Sequence, residues 1–454
     1  MRLSPRKVVG LLCAAVSLPV GAVRAETLEE AWASARGTDF GLRAAQFEAE
    51  AAEAARSATS RQRLPSVSAN GFAVKLDEAP TIKAPIEDDL TIPSPIKFPL
   101  LPSSFSFPVP ADLQNFQLGE DKFTQVALQA TLPLYTGGRL TNLTKAAESQ
   151  VGAAGWNLRR TEQELKVNVA EAYVNVLRAQ GGATISDREV EAVSGYVQDV
   201  QNLYDQQMVA KSDLLSVQVY LADSKQRNLQ IKNAVQLAQS FYNRMVGRPL
   251  DAPVSLDPLE PPADTGEESL EALTQQAIKN RPELNNLTAQ TESLRYAAKA
   301  IKGGLLPQVG LLGGMVYLDL DTLNDNTIGY AGVGASWTFF DSGVTRKQAE
   351  ALSKRRISSE ELFSQARELI TLQVRQTWLA REEARNRLNV ARTSLDSADE
   401  NQRVTRDRYR EGMGTNTEVL EAETRRSAAF TSYNNAKYDA VYADLRLKYV
   451  VGGI

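Results

Sequence analysis

The sequence predicts a mainly α-helical chain with a β-barrel part, built from two copies of one plan: helix, two strands, very long helix, turn, helix. Three observations carry this. Blocks of sequence recur at two fixed offsets; residues 382–408 and 424–448 hold neither proline nor glycine on either side of a Gly412-Met413-Gly414-Thr415 break; and residues 125–134 and 330–339 alternate apolar with small or polar side chains. The first marks a duplication, the second a helical hairpin with a sharp reversal, the third strands with one apolar face.

The chain opens with Arg2, Arg6 and Lys7 ahead of an apolar run, Val8 to Val23, and Val23-Arg24-Ala25 ends in a small residue suited to cleavage. Residues 1–25 therefore read as a secretory signal peptide. The single cysteine, Cys13, lies inside that run, so the mature chain is expected to carry no thiol and no disulfide. Lipidation at Cys13 would need a small residue where Leu12 stands. There is no histidine among 454 residues, which removes His-based acid–base catalysis and the commonest metal ligand. A formal net charge of −4 gives no basic excess for nucleic acid. Beyond the signal no apolar run approaches the roughly 18 residues of a spanning helix, so membrane crossing would have to use β-strands.

Leu64-Pro65-Ser66-Val67 matches Leu306-Pro307-Gln308-Val309 at an offset of 242, which also pairs Thr27-Leu28-Glu29 with Ser269-Leu270-Glu271. A second offset, 205, pairs the segment Leu132 to Gly138 with Trp337 to Gly343, Tyr173 with Trp378, Tyr204 with Tyr409, and Val246-Gly247 with Val451-Gly452. The surplus in the first copy falls in a proline-rich segment, 76–121, expected to be an irregular surface loop. The expected domains are a first repeat at 26–247, a connector at 248–268 rich in proline and acid, and a second repeat at 269–454.

The elements follow in order. Copy one should hold a helix at 27–63, strands at 66–76 and 122–135, a long helix at 139–205 and a returning helix at 213–246. Copy two should repeat them at 269–305, 308–318 with 327–340, 344–410 and 417–449. A helix of about 65 residues is about 100 Å long. Leu158, Leu165, Val169, Ala172, Val176 and Ala179, with Phe363, Ile370, Val374, Thr377 and Ala384 in copy two, fall on a coiled-coil-like seam. Glu162 and Arg367 interrupt it, and Gly181 and Gly182 suggest a bend.

In the strands, Val126, Leu128, Ala130, Leu132 and Leu134 form one face of copy one, and Ala331, Val333, Ala335, Trp337 and Phe339 that of copy two. This fits lipid-facing barrel strands, with Trp337 and Phe339 near an interface; a soluble sandwich would show the same alternation. Four strands cannot close a transmembrane barrel, which needs about eight, so strands in a membrane imply a barrel shared by several chains.

With these motifs in order, "TLEEAWASAR", "LPSVSANG" and "LPQVGLLGG", "TLPLYTGGRL" and "WTFFDSGVTR", and "RYREGMGTNTEVLEAE", the chain resembles the TolC family of outer-membrane efflux proteins over residues 26–454. The resemblance implies a homotrimer whose strands form one 12-stranded barrel in the Gram-negative outer membrane, continued by an α-helical coiled-coil barrel across the periplasm. It implies a periplasmic adaptor and an inner-membrane transporter of the RND, ABC or MFS type as partners, no cofactor, and a passive exit duct rather than an enzyme.

Carried residue by residue, it implies an acidic ring at the periplasmic mouth from Glu418 and Glu421, linking residues at Ser212, Asp213 and Tyr409, and adaptor docking at the tips: Met208, Val209, Ala210, Met413, Gly414 and Thr415. Where the family pattern can place a linking arginine, this chain has Gly414, so a lock would have to use other groups, such as Lys211 or Arg410. Each residue also has a plainer reading. Thr415 and Glu418 fit a capping box, Asp213 suits the first turn of a helix, and Tyr409 with Tyr204 could simply pack the hairpin. Glu421 has no capping duty. Competing readings are a non-conducting periplasmic scaffold or adaptor with long hairpins, and an exported enzyme, for which no triad, metal cluster or phosphate loop is found.

Overall fold

The computed structural model describes residues 25–78, 121–261, 269–319 and 325–453, with four short strands between 78 and 121. The signal segment and Cys13, most of 76–121, and 262–268 of the connector lie outside the described residues. The chain divides into a helical unit (residues up to Ala49, Ala154–Leu287 and Leu362 onward) and a sheet-bearing unit (Glu50–Ala153 and Thr288–Glu361).

Each copy opens with two helices where the sequence suggested one: α1 (Leu28–Thr38) and α2 (Phe40–Arg61) in the first, α5 (Leu270–Asn280) and α6 (Pro282–Gly303) in the second. Thr27 caps α1 in a reciprocal box with Glu30. The breaks have local causes. Asp39 takes extended backbone angles and its Oδ1 accepts the Leu42 N–H at 2.7 Å, making it the cap of α2. Arg281 is extended likewise and precedes Pro282, which has no N–H to continue α5.

The long helices α3 (Arg139–Asp205) and α7 (Val344–Arg410) have 67 residues each; their returns α4 (Lys211–Met245) and α8 (Asn416–Val450) have 35 each. α3 is one unbroken helix through Gly181 and Gly182, where Gly181 leaves room for the Asn434 side chain of α8.

Two of the apolar clusters in the helical unit gather around the opening helices α1 and α5. In the first, Leu28, Ala31 and Ala35 of α1 meet Leu165, Val169, Tyr173 and Val176 of α3, Tyr242 of α4 and Val441 of α8. In the second, Leu273 and Ala277 of α5 meet Ile370 and Val374 of α7 and Leu447 and Val450 of α8. Leu165, Val169, Val176, Ile370 and Val374 are seam positions, each large side chain contributing about 1.5–3 kcal/mol on burial. Glu162, half-buried at the seam, pairs with the exposed Arg36 at 3.4 Å. The connector packs here too. Glu26 and Leu256 form a parallel bridge, and the buried Tyr173 hydroxyl lies 2.7 Å from the Glu26 carbonyl and 2.8 Å from that of Asp257.

In the sheet unit, β1 (Ser66–Lys75), β6 (Lys122–Tyr135), β7 (Gln308–Asp319) and β8 (Thr327–Ser336) form one antiparallel sheet in the order β1-β6-β7-β8. Between β1 and β6, β2 (Thr81–Ile82) pairs with β5 (Phe116–Gln117) and β3 (Leu90–Pro93) with β4 (Ser104–Phe107). The proline-rich insert therefore carries short ladders, with Pro93 at a strand end where its missing N–H costs little.

Register extends one apolar face over all four main strands. Val126, Leu128 and Leu132 of β6 oppose Tyr317, Met315 and Leu311 of β7; Leu311 opposes Val333 of β8, and Val67 of β1 opposes Ala130. The opposite face carries Ser66, Ser68, Asn70, Gln129 and Thr131, with Ser66 Oγ 2.7 Å from Thr131 Oγ1. β8 ends at Ser336, so Trp337 and Phe339 lie past the strand rather than in it. Ser336 pairs with Gln308, the first residue of β7, and no partner strand remains beyond it. Trp337 instead donates its Nε1–H to the Leu305 carbonyl at 3.0 Å.

The β6-to-α3 corner depends on Gly137, whose φ of 59° and closeness to the Gly303 carbonyl leave no space for a side chain. Gly137→Ala should cost more than about 2 kcal/mol, because backbone must move on both sides. The check is the melting temperature of the purified assembly, with Gly138→Ala, whose surroundings are more open, as the milder control.

Candidate functional site

Both hairpin turns are built alike. At the end of α7 the Met413 N–H bonds the Arg408 carbonyl at 2.9 Å and the Gly412 N–H bonds that of Tyr409 at 3.0 Å, with Gly412 at φ 73°. At the end of α3 the Met208 N–H bonds the Leu203 carbonyl at 2.9 Å and the Gln207 N–H bonds that of Tyr204 at 2.8 Å, with Gln207 at φ 59°. Both are Schellman closures. Gln207 holds a left-handed conformation that glycine occupies in the other copy, at a cost of about 1 kcal/mol.

A small core joins the turns: Tyr196 and Val200 of α3, Leu214 and Val217 of α4, Tyr409 of α7 and Val419 of α8. Tyr196 and Tyr409 meet edge to face at 5.9 Å between centroids. Asn416, 6% exposed, links three elements: its Oδ1 accepts the Tyr196 hydroxyl at 2.8 Å, and its Nδ2 donates to the Asp213 carbonyl at 3.2 Å.

The sequence-based candidates fall into two groups. Tyr409 is buried and Asp213 and Val209 are half-buried, so these belong to the packed base of the turns. Burial raises the Tyr409 hydroxyl pKa, and the nearby Asp213 charge adds to it. Ser212, Met208, Ala210, Met413, Thr415, Glu418 and Glu421 are exposed, with Gly414 intermediate. Thr415 caps α8 by accepting the Glu418 N–H at 3.3 Å. The capping box is half-formed: the Glu418 carboxylate lies near Gly414 rather than bonded back to Thr415. Glu421 pairs with Arg425 at 3.6 Å, both side chains exposed. Glu418 and Glu421 share an outward face, three residues apart on α8.

Three carboxylates that the sequence did not single out organise the region. Asp199 of α3 accepts from Arg410 at 2.9 Å and Arg406 at 3.0 Å, both on α7. Burial pushes its carboxyl up, but the bonds from Arg410 and Arg406 together outweigh this and hold it below its usual value. Arg410 thus ties the two long helices of one chain to each other. Glu189 of α3, 9% exposed, accepts from Arg227 at 2.7 Å and Ser224 at 3.1 Å on α4, and from Ser427 at 2.6 Å on α8. Glu423 of α8 is 7% exposed; burial raises its pKa, only partly countered by Arg426 at 3.5 Å.

The exposed sheet face is the second candidate surface. Val67, Val126, Leu128, Leu311, Met315, Tyr317 and Val333 are between 41% and 67% exposed, and Leu132 is half-buried. So large a continuous apolar patch marks contact with lipid or protein. Among the described residues no group of His, Cys, Asp and Glu is arranged to hold a metal, and no helix is long and apolar enough to cross a membrane, which does not bear on strands.

A family model described as outer membrane efflux protein matches residues 109–247 and 273–453. The outer membrane efflux protein BepC of Brucella suis is 24% identical over 337 residues, 72% of this chain and 72% of BepC. The alkaline protease secretion protein AprF of Pseudomonas aeruginosa is 24% identical over 307 residues, 65% of this chain and 62% of AprF. The crystal structure of CusC superposes with a TM-score of 0.75 at 16% identity, covering 94% of this chain and 92% of CusC, a likeness of fold.

Because the folded-state pKa of Glu423 is raised, its protonated form favours the native state and its charged form opposes it. Glu423→Gln should therefore raise the melting temperature at neutral pH, and the gain should shrink as pH falls through the raised value. Thermal scans from pH 4 to 8 would test this; a loss of stability at neutral pH would mean that the Arg426 contact outweighs burial.

Proposed function

As the chain belongs to the outer membrane efflux protein family, we propose that three copies close one twelve-stranded barrel and form a passive exit duct from the periplasm to the exterior. The observation that carries this is the sheet: four strands in register with one apolar face exposed, and β1 and β8 each paired on one side only. An outer-membrane channel meets both conditions, because lipid covers the face and neighbouring copies pair the edges. The helices then extend into the periplasm, where a membrane-fusion adaptor couples the duct to an inner-membrane transporter of the RND, ABC or MFS type. AprF is named for protease secretion, which keeps protein export beside small-molecule efflux as a cargo class. A non-conducting scaffold would leave the apolar face unexplained.

In this reading the exposed turns form the periplasmic mouth. Three copies of Glu418 and Glu421 would set up a negative potential that favours cations and concentrates them at the entrance. Glu421→Gln should lower the cation-to-anion permeability ratio in planar bilayers, with single-channel insertion unchanged. Equal ratios for wild type and variant would remove Glu421 from the mouth.

The same turns offer Met208 and Met413, 67% and 60% exposed, as docking points for the adaptor. Substituting Gly414 would crowd the Tyr409 N–H and the Glu418 carboxylate, so the methionines give the cleaner test. Met208→Asp/Met413→Asp should reduce adaptor capture at least tenfold in pull-downs while leaving the trimer intact; undiminished capture would move the docking surface elsewhere.

A further inference from the structure

We propose that the helix ends bordering the sheet form a basic collar that binds the anionic headgroups of phospholipids in the periplasmic leaflet. This rests on reading the sheet as the membrane part. The four helix ends concerned are the C-termini of α2 and α6 and the N-termini of α3 and α7, all in the sheet unit. Across residues 59–64, 135–146, 299–307 and 341–350 the chain carries eight basic residues and two acidic ones, although its overall charge is −4.

Both acids are already engaged. Asp341 accepts the N–H groups of Gly343 and Thr345 at 2.9 and 2.8 Å, and Glu350 pairs with Lys347 at 2.8 Å. Arg61, Lys299, Lys302 and Arg346 are exposed and make no ion pair among the described residues. At the far end of the same strands the sign is reversed, with Asp77, Glu78, Asp121, Asp319 and Asp325 against Lys75 and Lys122.

Helix electrostatics explains only half of the collar. Arg61 and Lys302 complement the C-terminal dipoles of α2 and α6. Arg139 and Arg346 stand at helix N-termini, where the dipole disfavours positive charge. At α7 the Asp341 carboxylate caps the helix and offsets Arg346. The first turn of α3 holds no acid, so Arg139 lacks that compensation and an external anion supplies it.

Continuity with the apolar face identifies that anion. Between that face and the collar stand the exposed aromatics Tyr135, Trp337, Phe339 and Phe340. Trp337 is pinned to Leu305, three residues from Lys302. Aromatic rings beside long basic side chains suit the headgroup level of a bilayer, where the stems lie along apolar surface and the charges reach phosphates. Each such base favours an anionic over a neutral surface about five-fold.

The test uses the full mature trimer in non-ionic detergent, titrated with phosphatidylglycerol or phosphatidylcholine, with retained lipids counted by native mass spectrometry. Wild type should retain phosphatidylglycerol at least tenfold more tightly, and high salt should remove the preference. Arg61→Gln/Lys299→Gln/Lys302→Gln/Arg346→Gln should lose it while still conducting in neutral-lipid bilayers. Equal retention of the two lipids by wild type, or an undiminished preference in the variant, overturns the collar. Base-dependent binding to insoluble cell-wall sacculi without any lipid preference also overturns it, in favour of the wall. Failure of wild type to insert into neutral bilayers would instead count against the channel itself.

Discussion

Two strand edges govern this molecule. β1 and β8 each turn a row of backbone N–H and C=O groups outward, next to an apolar face that favours leaving water. In water those groups would be solvated but the face would not; in lipid the face is satisfied and every unpaired backbone group costs several kcal/mol. Only further strands resolve both demands. A barrel shared between copies supplies them, and with four strands per chain the family's trimer reaches twelve, above the minimum of about eight.

The duplication then distributes the remaining work evenly. The two long helices have the same length, as do their two returns, and both turns close with the same pair of hydrogen bonds. The copies differ where chemistry does. Copy one accepts a strained Gln207 where copy two has Gly412. Asp199 lies on the first long helix and its partners Arg406 and Arg410 on the second, so the clasp joins the copies rather than repeating within each. With glycine at 414, this intrachain clasp and the Asn416 link hold the turns together.

Much of this was legible in the sequence, for physical reasons. Strand alternation gave the lipid-type face because side chains alternate with period two, and helix ends followed from glycine and capping threonine. The helix breaks at Asp39 and Arg281 were missed although both had signals: an aspartate three residues before Leu42, and Pro282 at a first helical position. β8 was drawn too long because alternation continues to Phe339 while its partner β7 begins at Gln308, a limit set by pairing and not by composition. Glu189, Asp199 and Glu423 could not be picked out, since a charged residue on a long helix looks the same whether it faces solvent or a partner helix; what distinguishes Asp199 is arginines 207 and 211 residues away.

The most direct test of edge sharing exploits the absence of cysteine from residues 14–454. One cysteine is placed on β1 at Ala69 and another on β8 at Gly329, Ala331 or Val333 in turn, and the protein is oxidised in its membrane. Edge sharing between copies requires that one β8 position yield covalent dimers and trimers on a non-reducing gel. If all three yield only monomers, while the same protein still migrates as a trimer before denaturation, then β1 and β8 do not pair between copies and the shared barrel is wrong.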